Sequence, residues 1–548
     1  MKTLSRTVLT LFVLSFSCLA AIAGEVSFKI TKQYLNFPIS HKENRGRMTF
    51  EVNGKPDLSV VIRLAPDEAE YWVFKDVSAF KGKTIKITYD GNEKGLSKIY
   101  QSDEIEGQAE LYKEKNRPQF HFTTRRGWIN DPNGLIYYEG EYHLFYQHNP
   151  FERDWENMHW GHAVSKDLIH WTELPDALYP DHLGTMFSGS AVIDYDNTAG
   201  FNKGKTPAMV AAFTAASSDR QVQGIAYSLD KGRTFTKYDK NPVINSKEKW
   251  NSQDTRDPKV FWYAPSKHWV LVLNERDGHS IYTSSNLKDW KYESHVTGFW
   301  ECPELFELPV DGDKNHTKWV MYGATGTYML GSFDGKVFTP EAGKYCYTTG
   351  SIYAAQTFTN IPASDGRRIQ IGWGRISHPG MPLNGMMMLP TELTLRTTKD
   401  GIRLVNVPVK EVESLCKPLR SWKSLSSDEA NRHLKEFYDA DCLRIKTTIK
   451  LSHATDAGFN LFGQRMIGYD MNSNTLNGRF YSPQDPTSME LSADIYIDRT
   501  SIEVFIDGGL YSYSMERRPD TNNKEGFHFW GNRIEVKDLQ VFSVESIW

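Results

Sequence analysis

The sequence predicts an all-β chain: a five-bladed β-propeller followed by a C-terminal β-sandwich and preceded by a small N-terminal β domain. Three observations carry this expectation. Strand-like runs recur between residues 130 and 389, a turn motif interleaves with them in one phase, and the flanking segments alternate apolar and polar residues with period two. At 548 residues the chain has room for two or three packed cores.

Residues 1–23 read as an export signal, with Lys2 and Arg6, an apolar run from Val8 to Leu14, and Ala21-Ile22-Ala23 ahead of Gly24. Ser15 and Ser17 interrupt the run well short of the roughly 18 apolar residues a membrane span needs, and no other stretch is apolar enough to be a transmembrane span. A secreted or periplasmic location is expected. The alternative, a lipid anchor on Cys18, is disfavoured by Ser15 where an apolar residue is wanted. Lys plus Arg total 64 against 68 Asp plus Glu, a net charge of −4 that becomes −6 without Lys2 and Arg6. No basic field exists to hold phosphates, so nucleic acid is not an expected partner. The remaining cysteines, Cys302, Cys346, Cys416 and Cys442, form no C-x-x-C pair and are too sparse for a disulfide scaffold. Each reads as a small buried apolar residue.

From residue 24 to 106, runs such as 26–30, 58–62 and 84–88 are separated by Gly, Pro and Asn turns and predict a small antiparallel sandwich. Residues 107–117 are polar and charged, a linker. The propeller is assigned to 118–400. Five runs begin at Gly134, Ser190, Pro258, Glu304 and Ile352, spaced 56, 68, 46 and 48 residues apart, room for about four strands per unit. Between them recurs a Ser-x-Asp or Ser-Asn turn closed by an aromatic: Ser165 to Trp171, Ser228 to Phe235, Ser285 to Trp290 and Ser332 to Phe338. Radial repetition of four-stranded units is propeller architecture. Residues 401–420 are read as a linker with a short helix around Val409 to Leu419, and 421–548 as the sandwich, where 495–498 and 501–506 alternate around a tight Asp-Arg-Thr turn.

Three of the five inner-strand starts carry a carboxylate in the turn just before the strand: Asp131, Asp257 and Glu301. In a propeller the first strand of each blade lines the axis, so these distant residues should converge. Any one of them is also good turn chemistry; three in one phase point to a reaction. Paired carboxylates are what glycoside cleavage needs. Trp128, Trp155, Trp300 and Trp373 suit the apolar face of a sugar, although each also suits an inter-blade core. His148, His159, His162 and His170 are close in sequence, but His159-x-x-His162 has no third ligand at useful spacing. They are read as packing and turn residues, and neither metal nor cofactor is expected.

At these residues the sequence resembles glycoside hydrolase family 32, the invertase, inulinase and levanase family, over about residues 118 to 548. The matching motifs are Trp-Ile-Asn-Asp-Pro-Asn-Gly at 128–134, Phe-Tyr-Gln-His-Asn-Pro at 145–150, Met-His-Trp-Gly-His-Ala at 158–163, Phe-Ser-Gly-Ser at 187–190, Arg-Asp-Pro at 256–258 and Glu-Cys-Pro at 301–303. The resemblance implies a retaining hydrolase of β-fructans or fructosides, with Asp131 as nucleophile, Glu301 as acid and base, and Asp257 stabilising the transition state. It further implies that Asn130, Gln147, Trp155, Phe187, Ser188, Arg256 and Trp373 shape a pocket for one fructose. Ile129 stands where methionine is usual and Glu304 where aspartate is common, both keeping size or charge. Fructosyl transfer to a second sugar would use the same acids. A non-catalytic sugar-binding propeller is expected to have lost at least one acid, and all three are present. The segment before residue 107 lies outside the family core and is similar to N-terminal extensions on gut-bacterial levanases.

Overall fold

A computed structural model describes residues 24–451, 455–481, 483–484, 487–518 and 522–548. The expected leader, with Cys18, lies outside them.

Two antiparallel sheets form the N-terminal region. One has four strands in the order Gly24–Lys29, Thr84–Tyr89, Gly46–Val52, Lys55–Ile62; the other has three, Tyr71–Asp76, Tyr34–Ile39, Tyr100–Ser102. Their inward residues, among them Phe37, Met48, Phe50, Val60 and Ile87, share one core. The alternation that buries every second residue of Gly46–Phe50 is the period-two signature of a sheet with one dry face.

Five four-stranded antiparallel blades follow. Their inner strands are Gly127–Tyr138, Thr185–Asp194, Thr255–Tyr263, Glu304–Val310 and Ile352–Thr357, which contain or coincide with the five sequence runs. The Ser-x-Asp turns join the third and fourth strands of blades 1 to 4. In blade 1 the Ser165 hydroxyl donates to Asp167 and accepts from its backbone N–H, while the Trp171 indole closes on the Leu168 carbonyl at 3.0 Å. In blade 3 the serine that closes the turn is Ser284 rather than Ser285, accepting from Asn286 N–H at 3.1 Å.

The segment expected as a linker is more regular than its sequence suggests. Gly401–Pro408 is the fourth strand of blade 5, pairing in full register with Thr391–Thr398. The expected helix is a 3-10 segment at Lys410–Leu415, and Cys416–Ser426 is already an edge strand of the sandwich. Strand pairing wins here because it satisfies backbone groups that would otherwise be buried unpaired. The inner strand of blade 4 also meets the third strand of blade 5 through a parallel bridge, Val310 to Leu395.

The sandwich packs a seven-stranded sheet on a five-stranded one around Ile445, Phe459, Ile495, Val504 and Val541. It is locked to the propeller. Thr348–Gly350, between blades 4 and 5, adds a parallel strand to the larger sheet, and Phe120 and Phe122 share a core with Tyr496 and Phe505. His121 lies between Asp498 and Glu503, 2.8 Å from each.

Candidate active site

Asp131, Asp257 and Glu301 meet at one end of the propeller axis, but two of them sit elsewhere on the chain than expected. Asp131 and Asp257 lie within their inner strands, not in the turns before them. The strand pairing slips beside each: between Ile129 and Pro132, and between Arg256 and Lys259. Similar slips fall between Phe187 and Gly189 and between Tyr353 and Gln356. A bulge re-aims side chains without ending a strand, and here four blades carry one at the same end of the axis. Gly189 shows how tight this is, since a Cβ there would collide with the Ala212 carbonyl oxygen.

Blade 4 reaches the site through its entry loop. Glu301 and Cys302 have φ of +50° and +42°, and Asp257 has +65°. Left-handed backbone costs a non-glycine residue on the order of 1 kcal/mol. All three N–H groups are captured by side chains: Asp257 donates to Thr214 Oγ1 at 3.0 Å, Glu301 to Asn274 Oδ1 at 2.8 Å, and Cys302 to Asp257 Oδ2 at 3.0 Å. The neighbouring blades therefore hold the strained segment in place.

Asp131 accepts from Ser188 Oγ at 2.7 Å and from Asn130 Nδ2 at 3.2 Å, and the Trp128 indole fixes Asn130 at 2.8 Å. Burial pushes the Asp131 carboxyl above its usual value, while the Ser188 and Asn130 donors oppose the rise. Asp257 is pushed up to about 7 by burial, with Arg256 opposing and the charges of Asp131 and Glu301 adding to the rise. On Glu301, Oε1 accepts from Arg256 Nη2 at 2.7 Å and Nε at 3.2 Å, and Oε2 accepts from the Tyr353 hydroxyl at 2.5 Å. Arg256 is braced by Asp254 Oδ1 at 2.8 Å and Gln221 Oε1 at 3.2 Å.

The remaining expected residues gather around these acids. Gln147 is buried against Asn133; with the Asn133 amide turned to suit its neighbours, its oxygen accepts from Gln147 Nε2 at 2.9 Å and its NH2 donates to Ser188 Oγ at 3.3 Å. Trp373 packs edge-on to Trp128 at 5.8 Å, its buried indole N–H unpaired. Trp155 and Phe187 form a second aromatic pair at 5.9 Å. Trp155 and Trp300 are 48% and 41% exposed, flat surface left open beside the acids. Such a wall suits a polyol with one apolar face.

Tyr353, Asn274 and Cys302 are the contributors that sequence reasoning left without a role. Tyr353 is the second residue of the fifth inner strand, so its blade phase was the available signal. Cys302 corrects the reading of the cysteines as buried packing. All four are half-buried and unpaired, and Cys302 Sγ lies 3.6 Å from both Asp131 Oδ2 and Asp257 Oδ2. Asp131, Asp257 and Cys302 bring one potential ligand atom each within 4.8 Å of one another, the one such trio among the described residues. The four histidines go to separate partners: His148 to Asp176, His159 to the Asn157 carbonyl, His162 to His143 and His170 to Asp167. Glu304 points away from the acids, buried in an ion pair with Lys259 at 2.7 Å and accepting from Thr357.

The chain matches the model of the glycosyl hydrolases family 32 N-terminal domain over residues 121–408 and that of the family's C-terminal domain over 411–543. The chain belongs to glycosyl hydrolases family 32. Within this family, a levanase of Bacillus subtilis is 40% identical over 493 residues, covering 80% of this chain and 72% of that one. A fructan beta-fructosidase of Streptococcus mutans is 30% identical over 578 residues, 96% of this chain and 39% of that one. Among solved structures, the exo-inulinase of Aspergillus awamori superposes with a TM-score of 0.69 at 30% identity, covering 80% of this chain and all of that one.

Proposed function

We propose that this family 32 chain is a retaining glycosidase that releases fructose from β-fructans, levan or inulin, or from fructosides such as sucrose. The chain hydrolyses fructan or fructoside bonds, as its levanase and exo-inulinase relatives are named for doing. The observation that carries the residue assignment is the unequal treatment of the two outer acids. Asp131 is held by neutral donors, Ser188 and Asn130, and Glu301 by a guanidinium and a phenol. A carboxylate held only by neutral donors keeps its charge unpaired and available for attack, and one aimed by a guanidinium on one oxygen and a phenol on the other is oriented for proton transfer.

In the first step an Asp131 oxygen bonds to the anomeric carbon of the terminal fructosyl unit as the bond to the leaving oxygen breaks, and Glu301 delivers its proton to that oxygen. In the second, Glu301 takes a proton from water, whose oxygen replaces Asp131 at the anomeric carbon. Asp257, raised towards neutrality, can accept or donate hydrogen bonds to fructosyl hydroxyls as charge builds on the ring. Trp373 offers its unpaired indole N–H, and Trp155 and Phe187 its apolar neighbours. Both proton and nucleophile come from carboxyl groups, so no step asks for a metal.

The 1–23 leader supports export, in keeping with relatives described as extracellular. No helix among the described residues is long and apolar enough to cross a membrane.

Chromatography of products from inulin, levan and sucrose tests the reaction. Free fructose from at least one of them is expected. Products dominated by longer oligosaccharides would make the chain a fructosyltransferase, and no cleavage of any would overturn the reading.

A further inference from the structure

We infer that the N-terminal sandwich shapes the substrate pocket from outside it: it grips residues 151–157 on both sides of Trp155 and so sets the position of that indole, with Arg63 as the chief positioning residue. The inference rests on the proposed placement of Trp155 in the fructose pocket.

Residues 150–158 link the second and third strands of blade 1, Glu141–Asn149 and His159–Ser165. This link leaves the propeller and enters the other unit. Phe151 is 1% exposed and belongs to the N-terminal core, its ring 6.0 Å from Phe37 and 6.1 Å from Phe50. Arg63 Nη1 donates to Glu152 Oε2 and Asp154 Oδ2, both at 2.9 Å. Past the indole, Arg45 Nη1 donates to Glu156 Oε2 at 3.0 Å. Asn157 then pairs with the backbone of Val61, accepting its N–H and donating to its carbonyl, both at 2.8 Å. That exchange imitates a rung of sheet on Lys55–Ile62, an edge strand of its sheet.

Arg153 completes the grip. Its backbone N–H donates to the Tyr71 hydroxyl at 3.1 Å, its guanidinium lies over the Tyr71 ring, and Nη1 donates to the Met381 carbonyl at 3.2 Å. Met381 leads into Leu383–Asn384, which pairs with Gly127–Trp128 beside Asn130 and Asp131. Thus every residue from 151 to 157 except Trp155 is tied to the N-terminal sandwich. Trp155 itself packs on Phe187 and is otherwise 48% exposed, so its position follows from the loop that carries it. The Glu152 side chain is wholly buried, and losing Arg63 would remove its 2.9 Å partner and leave only the longer contact to Arg45 Nη2 at 3.7 Å. The loop would then be driven outward, taking Trp155 with it.

Steady-state kinetics on whichever of sucrose, inulin and levan is cleaved fastest, with thermal melts to confirm folding, test this. Trp155→Ala should raise KM at least about tenfold. Arg63→Met should raise KM about three- to tenfold with kcat within about twofold, as expected when ground-state and transition-state binding fall together. Arg63→Lys should recover part of the loss, and Arg45→Met, at a more exposed pair, should show a smaller effect of the same kind. In a Trp155→Ala background Arg63→Met should add less than about twofold, because coupled residues are not additive. If Arg63→Met does not fold, Arg45→Met and Arg63→Lys carry the same comparison. The inference is overturned if the Arg63 and Arg45 variants fold and keep the wild-type KM while Trp155→Ala raises it, or if their effect is equal with and without Trp155. An unchanged KM in Trp155→Ala would instead remove the pocket placement of Trp155, and the inference with it.

Discussion

The Tyr353 hydroxyl donates to Glu301 Oε2 at 2.5 Å while Arg256 holds the other oxygen, so the carboxyl is fixed from blades 5 and 3 at once. Tyr353→Phe removes one of these holds without changing the ring. The acid should then sample unproductive rotamers, lowering kcat by about tenfold or more with little change in KM. Stopped assays across a substrate series check this. A variant that loses affinity but not turnover would make Tyr353 a binding residue.

Glu301→Ala separates proton donation from attack. Cleavage of natural fructans should be crippled, whereas a fructoside with an acidic leaving group should be slowed much less in the glycosylation step, because it departs unprotonated. Equal losses on both would remove Glu301 as the acid. The neighbouring Glu304 is not a ready substitute, since its oxygens already serve Lys259 and Thr357.

His121 should make the docking of the sandwich depend on pH. Burial alone would lower its pKa, but hydrogen bonds to Asp498 and Glu503 win and push it up to about 9 from 6.5. A raised histidine contributes stability that is complete below 6.5 and is lost as pH rises through about 9. The melting temperature of the wild type should therefore fall towards that of His121→Gln between these values. A constant gap across the window would contradict the pair.

A chelator should leave activity intact, although Asp131, Asp257 and Cys302 are close enough to share an ion. Burial and the surrounding carboxylates keep the Cys302 thiol well above its usual pKa, so a thiolate ligand is disfavoured. Loss of activity in EDTA and rescue by one divalent cation would overturn this.

The convergence of the three acids was legible because blade repetition puts residues in phase, and phase survives in a single sequence. Their placement was less legible. Asn-Asp-Pro and Arg-Asp-Pro read as turns from local chemistry, yet cross-strand pairing absorbs both as bulges inside strands. Tyr353 and Asn274 carry no motif of their own and matter only through the register that brings them to Glu301. The grip on the loop that carries Trp155 was out of reach for the same reason, since Val61 and Asn157 are 96 residues apart. The 401–408 strand was missed because a short polar-flanked run does not disclose that Thr391–Thr398 waits beside it.

The proposed mechanism requires Asp131 to form the covalent bond to fructose. Glu301→Ala supplied with an activated fructosyl donor should load the enzyme rapidly and unload slowly, because the base for water is missing. After acid quench and proteolysis, mass spectrometry should find one fructosyl ester, on the peptide that holds Asp131, and it should vanish in the Asp131→Asn, Glu301→Ala double variant. Turnover of that donor with no adduct, or an adduct on Asp257 instead, would contradict the account.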